Sequence, residues 1–457
     1  MPTSVDQRSG KATRIHLALE TTKGSATGIT TSEVFPLRDV SGFGITRDEM
    51  DVPYYNGTVQ GDSSAPGPLV GNGVVPCSLE FDFIGKPLKM PAGASGYSKV
   101  DLVTGSVHSF FPPTGVATGL AAEIQSDWLG GTPIYERALY AALKSLALSY
   151  AQGGAAPADY EFVSSGDSAD TDLGWTVTDN GVSGVSVYNG SARIAPAALA
   201  PTWSTLGAIT GFNAKLDTGA VAEPVAFNDG VAGSVNYGSL LWSGMLEMML
   251  ASGGSAPESD FNFRNYAKLR TLMMFNCVWA DAAVSSAPYP AKWLDFYMSS
   301  FRFNRKSPNA GGEKGGKTSQ GWRHVLDATL SKVAARSFGT IVGPYVITAG
   351  VNDVWSMKPD GGTTVNVTLT PGTRTATQIV ADLAGDATFA SKFKPDVFNG
   401  RARATSLQTG GTGASSSVQF VTGTPNNCAA TLGFNGTAIT GFNAPWVVQL
   451  YNTHAAY

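Results

Sequence analysis

The chain has 457 residues, 43% of them hydrophobic and only 14% charged, which is enough apolar material for large cores and excludes a disordered polyelectrolyte. Its 35 acidic and 31 basic residues leave a net charge of −4, so no general affinity for polyanions is implied. Length alone predicts roughly two to four domains.

In chain order, Met1 to Gly10 lacks the charged and apolar regions of a signal peptide. Lys144 and Glu247 interrupt the best apolar runs before they reach the ~18 residues that span a bilayer. The expectation is a soluble product with no membrane partner that stays in the cell making it. Asp48-Glu49 with Asp51 reads as a solvent-facing acidic turn. Ser78 to Gly85 alternates, with Leu79, Phe81 and Phe83 on one side and Ser78, Glu80 and Asp82 on the other. That pattern predicts a half-buried strand with an acidic wet face. Thr132 before Pro133 reads as an N-cap and first helical position, and Leu139, Ala142, Leu143, Leu146 and Tyr150 recur at helical spacing. A helix packed on a sheet is predicted there.

An internal echo follows. The apolar stretch with Leu139, Leu143 and Leu146 runs into Gly153-Gly154, Pro157 and the pair Tyr160 and Phe162; a second, Leu240 to Leu250, runs into Gly253-Gly254, Pro257 and the pair Phe261 and Phe263. The register is the same, which suggests a duplicated unit of helix, Gly-Gly-small-Pro exit and aromatic strand. The second helix, Tyr237 to Leu250, carries Leu241, Met245, Met248 and Met249, read as methionine gap-filling of a core. Between the copies, Asn180-Gly181 and Asn189-Gly190 separate the short runs 175–178, 185–187 and 192–194, a signal for tight hairpins.

Asp295 to Phe303 carries strand-forming aromatics and is expected to pair with a strand beginning near Trp322, across the long Gly-rich loop 304–321. Arg302, Arg305, Lys306, Lys314, Lys317 and Arg323 concentrate positive charge around this loop. It reads either as a solvated hairpin tip or as a segment that orders against an acidic surface of a neighbouring subunit, and the second is preferred because of the sign contrast. Gly311 to Thr318 also fits G-x-x-x-x-G-K-[ST], the phosphate-binding P-loop, with Lys317 towards the phosphates and Thr318 on magnesium. Its setting argues otherwise, since polar residues 304–309 precede it where a buried strand is needed. A boundary is read near 337–344, after which the chain turns rich in Thr, Gly, Asn and Val. There Val354 to Met357 and Val365 to Leu369 flank Asp360-Gly-Gly362 as a hairpin, and Thr375-Ala-Thr-Gln378 forms a capping box opening a helix with Ile379, Val380 and Leu383.

Candidates for chemistry are few. His16, His108, His324 and His454 lie far apart, and Cys77, Cys277 and Cys428 form no C-x-x-C, so no metal site and no cofactor are expected and the thiols read as core residues. Glu80 and Asp82 lack a neighbouring His, Lys or Tyr for acid–base work. No catalytic residue is assigned.

The segments Val34 to Ile45, Pro68 to Gly71 and Val74 to Gly85, in that order, resemble the opening of tail tube proteins of long-tailed bacteriophages. The resemblance covers about 31 to 335. It implies a mainly β chain with few helices: an N-terminal arm 1–30, two related β-sandwich or barrel-like tube modules at 31–160 and 161–340 that close into a ring, and a small C-terminal β-rich decoration domain at 344–457. The implied partners are the chain itself, in trimeric rings stacked into a tube, other tail proteins at the ends, and double-stranded DNA in transient passage. The implied place is the virion tail, assembled in host cytoplasm. Glu80 and Asp82 would face the lumen and repel DNA, and Arg305, Lys306, Lys314 and Lys317 would lock one ring onto the next. Another virion component, whether a decoration, fibre or tail-tip protein, is the alternative, with a P-loop enzyme more distant.

Overall fold

The computed structural model describes residues 13–20, 28–38, 44–55, 60–102, 105–113, 122–128, 134–151, 156–167, 172, 174–179, 191–199, 201–206, 209–224, 232–249, 260–280, 292–304, 317–398, 400–454 and 457. The chain is mainly β, with 51% strand and 12% helix. Its contacts divide it into two units: residues 1–96, 113–184 and 213–243 form the first, and residues 97–112, 185–212 and 244–457 the second. These are not the boundaries expected at 160 and 340, because each sheet draws its strands from remote parts of the chain.

In the first unit the antiparallel strands Thr13–Leu19, Ala122–Trp128, Ile134–Ala151, Pro157–Asp167, Gln60–Ser78 and Gly44–Tyr55 follow one another across a sheet. Thr31–Val34 extends it beyond Thr13–Leu19, and Thr176–Thr178 pairs parallel to Thr31–Val34. Phe35, Phe83, Tyr160 and Phe162 interlock at centroid distances of 4.6 to 6.4 Å in its core. Helix Gly85–Ala92 is buried along almost its whole length.

Two helices read from the sequence are strands. Residues 134–151 run extended, and the register shifts between Leu139 and Ala142 and again between Leu143 and Ser145. Each shift is a β-bulge that re-phases the alternation, with Tyr140 at φ 52°. The buried set Ala138, Ala141, Ala142, Leu143, Leu146 and Leu148 therefore loses its period of two and imitates a helical stripe. Leu241–Met249 is likewise a strand: Trp242 and Leu246 are buried, whereas Leu241 and Met245 lie exposed on the other face. The echo does not repeat a local fold either. Tyr160 and Phe162 sit in a strand, but Phe261 and Phe263 open the helix Asp260–Leu269.

In the second unit a sheet runs in the order Ser191–Pro196, Met273–Ala280, Trp293–Phe303, Trp446–Asn452, Gly105–Phe110 and Tyr97–Leu102, all antiparallel. Strand 293–303 is the expected one, and Phe303 faces Trp322 of Lys317–His324 as anticipated. Only Arg302 in it escapes full burial, so both faces are covered. The segment after 344 is not a separate domain. It holds its own core around Trp355, Met357, Leu369, Ile379, Phe420 and Phe434, but its strand Trp446–Asn452 completes the unit's main sheet.

Within that segment Val354–Pro359 pairs with Val365–Thr368, the predicted hairpin. The predicted capping box is also present: Thr375 accepts the Gln378 N–H, the Gln378 side chain accepts the Thr375 N–H, and helix Ala376–Gly385 follows. Thr375→Ala is expected to cost about 1 kcal/mol, read as a lowered unfolding midpoint, because orphan amides at the helix start lose an acceptor. An unchanged midpoint would show that the cap is energetically idle. Cys77, Cys277 and Cys428 are free and buried, as expected of core thiols.

Candidate functional site

The acidic residues placed on a wet strand face are elsewhere. The strand ends at Ser78, residues 81–84 form a turn, and helix Gly85–Ala92 begins at once. Glu80 is 2% exposed, and its carboxylate accepts the Phe83 N–H at 2.6 Å. It caps the turn that carries Phe81 and Phe83 into the core, while Asp82 is half-buried in the same turn. A lumen-facing acidic strand is therefore not formed by these residues. Arg305, Lys306 and Lys314 lie outside the described residues, as do Gly311 to Gly316. Lys317 opens a strand, not the helix that a P-loop places there.

The chemically dense part of the molecule is a stripe on one face of the second unit's sheet. Ser109, Gln449 and Asp295 stand in register on three adjacent strands, and Arg193 faces Asn276 on the next two. Apolar clusters flank the stripe at both ends, one around Trp293 and Tyr451, the other around Tyr297 and Val447. Over it packs a three-stranded sheet made of Arg336–Phe338, Arg401–Ser406 and Phe393–Phe398. Arg336 donates to Asp295 at 3.0 Å and to Gln449 at 2.7 Å, and Gln449 donates on to Ser109 at 3.0 Å. Asn276 also donates to Asp295. Arg403 donates to both oxygens of Asp396, at 2.8 and 2.7 Å, and stands 3.7 Å from Asp295. Arg193 donates to Asn276 at 2.8 Å and to Asp396 at 2.6 Å.

The stripe explains how a charged row survives between two sheets: nearly every oxygen is matched by a donor, some from its own layer and some, such as Arg336 on Asp295 and Gln449 and Arg193 on Asp396, from the opposite one. Aromatic faces hold the guanidiniums flat, Arg336 over Tyr297 at 4.6 Å, Arg403 over Phe398 at 4.3 Å and Arg193 over Trp203 at 4.9 Å. Burial would raise the Asp396 carboxyl, but Arg403 and Arg193 outweigh it and hold it at about 2, below the ordinary 3.8. A depressed carboxyl adds stability that is complete above pH 3.8 and disappears as pH falls through 2. Acid titration of unfolding should therefore show a loss of about 2 kcal/mol across that window that is missing in Asp396→Asn. Equal acid sensitivity of both proteins would refute the assignment.

Beside the stripe lies a cavity of about 210 Å³ whose walls include Arg193, Trp203, Tyr297, Arg336, Lys394 and Asp396. The arrangement can hold and orient an anion. It contains no cysteine or histidine, and no group of metal ligands occurs among the described residues. The sequence reading passed over all of these residues. One signal was available, an aspartate inside the apolar aromatic run Trp293-Leu-Asp295-Phe-Tyr-Met298, which only a buried cationic partner makes tolerable.

The sequence matches no protein-family model, and a search of curated proteins returns no match.

Proposed function

We propose that this chain is a structural virion protein, a phage tail tube subunit that assembles with copies of itself into stacked rings conducting DNA. One observation carries the reading: strands Gly44–Tyr55 and Gln60–Ser78 are 12 and 19 residues long, about two to four times the usual strand length, and pair with each other from Gly44 opposite Asn72 to Tyr55 opposite Gln60. Past Val70 the longer strand pairs with Pro157–Asp167, but from Gln60 to Leu69 its strand partner among the described residues is Gly44–Tyr55 alone. A two-stranded ribbon of this length is marginal in water by itself, so it needs a surface to lie on. Its outer strand also has one strand partner among the described residues, leaving a row of backbone donors and acceptors for another chain.

The sequence resemblance supports the same reading. No helix among the described residues is long and apolar enough to cross a membrane. Negative-stain microscopy of the purified protein is the test. Rings or tubes are expected, and deletion of the ribbon tip, 50–65, should leave only small particles. A parent protein that stays monomeric would overturn the reading, and tubes that persist without the tip would overturn the ribbon's part in assembly. Discrete oligomers that never stack would favour another virion component.

A further inference from the structure

The ionic stripe is charge-unbalanced. Three guanidiniums, Arg193, Arg336 and Arg403, share two carboxylates, Asp295 and Asp396, in a region where Arg336, Arg403 and Asp295 are each no more than 5% exposed. One positive charge is left without a counter-charge, an arrangement that is costly away from water. The imbalance faces the cavity. Arg193 spends Nε and Nη1 on Asn276 and Asp396, while its Nη2 has no hydrogen-bond partner among the described residues. Lys394, on the same cavity wall, is exposed and has no ion-pair partner among the described residues. The one carboxylate in the wall, Asp396, is already clasped by Arg403 and Arg193.

We propose that this cavity is a binding site for a carboxylate, carried either by a small organic acid or by an acidic side chain of another polypeptide. The open Nη2 of Arg193 can donate a charge-assisted hydrogen bond to a carboxylate oxygen, and Lys394 adds a second, mobile donor. The volume of about 210 Å³ equals roughly seven waters of liquid and so admits a small acid or a side-chain tip. Trp203 and Tyr297 would flank its carbon atoms. The proposal is independent of the tube reading, since it concerns the second unit's own residues whatever the chain assembles into.

The test is thermal melting of the full-length protein titrated with succinate, against sodium chloride at matched ionic strength. A saturable rise in Tm with succinate and none with chloride is expected. Lys394→Gln, a change at an exposed residue outside the buried network, should keep the parent Tm without succinate and weaken the apparent affinity about five- to tenfold. Arg193→Gln should abolish the response, with circular dichroism confirming that the variant folds. No response in the parent, or an undiminished response in Lys394→Gln, would overturn the proposal. Light scattering on the same samples separates the sources. A fall in particle size as succinate saturates identifies an acidic side chain of another copy as the occupant, and constant size identifies a free acid.

Discussion

Asp295→Ala is expected to lower the stability of the second unit by about 3 to 5 kcal/mol, the cost of stranding buried guanidiniums rather than of losing one contact. Asp295 is 1% exposed and receives Arg336 at 3.0 Å, Asn276, and Arg403 at 3.7 Å. Its removal leaves the stripe with three cations against Asp396 alone. Denaturant unfolding of the two proteins measures the difference. The comparison that isolates burial is Arg38→Ala, which breaks the Arg38–Asp159 pair, whose side chains are 36% and 34% exposed. That change should cost less than about 1 kcal/mol. Similar losses at both sites would mean that the stripe draws no energy from its enclosure.

Trp355→Ala should cost a comparable amount, about 3 to 5 kcal/mol, through the cavity it opens. The ring is fully buried and packs edge-on against Phe434, Phe420 and Phe389 at 4.9, 5.2 and 6.3 Å. Its Nε1 has no hydrogen-bond partner among the described residues, so shape and area carry the effect. Trp355→Phe is accordingly expected to retain most of the stability. A phenylalanine variant as unstable as the alanine one would point to a polar contact of the indole instead.

Local chemistry was legible in the sequence wherever a few neighbouring residues decide the structure. The Thr375/Gln378 box and the hairpin around Asp360-Gly361 needed nothing from elsewhere, and Asp360 and Gly361 both adopt the left-handed backbone those residue types allow. Strand 293–303 and its partner at Trp322 were legible because aromatic residues fill both of its faces. Residues 134–151 were misread because two bulges shift the alternation, and a bulge leaves no mark that a period analysis can separate from a helical stripe. Glu80 was misread because alternation alone does not show where a strand stops. The Gly85–Ala92 helix follows so closely that its approach turn, capped by Glu80, still looks like strand. The ionic stripe was out of reach for a different reason. Its members, from Ser109 to Gln449, are 340 positions apart, and only the register of five strands and a second sheet brings them together.

The strand Trp446–Asn452 lies between Trp293–Phe303 and Gly105–Phe110 and delivers Gln449 to Arg336. During synthesis it leaves the ribosome after both neighbours and after every arginine of the stripe. Until then, the middle of that sheet is a gap, with two unsatisfied edges and an arginine lacking one acceptor. Closure of this unit's main sheet is therefore expected to be a late step that waits for residues 446–452.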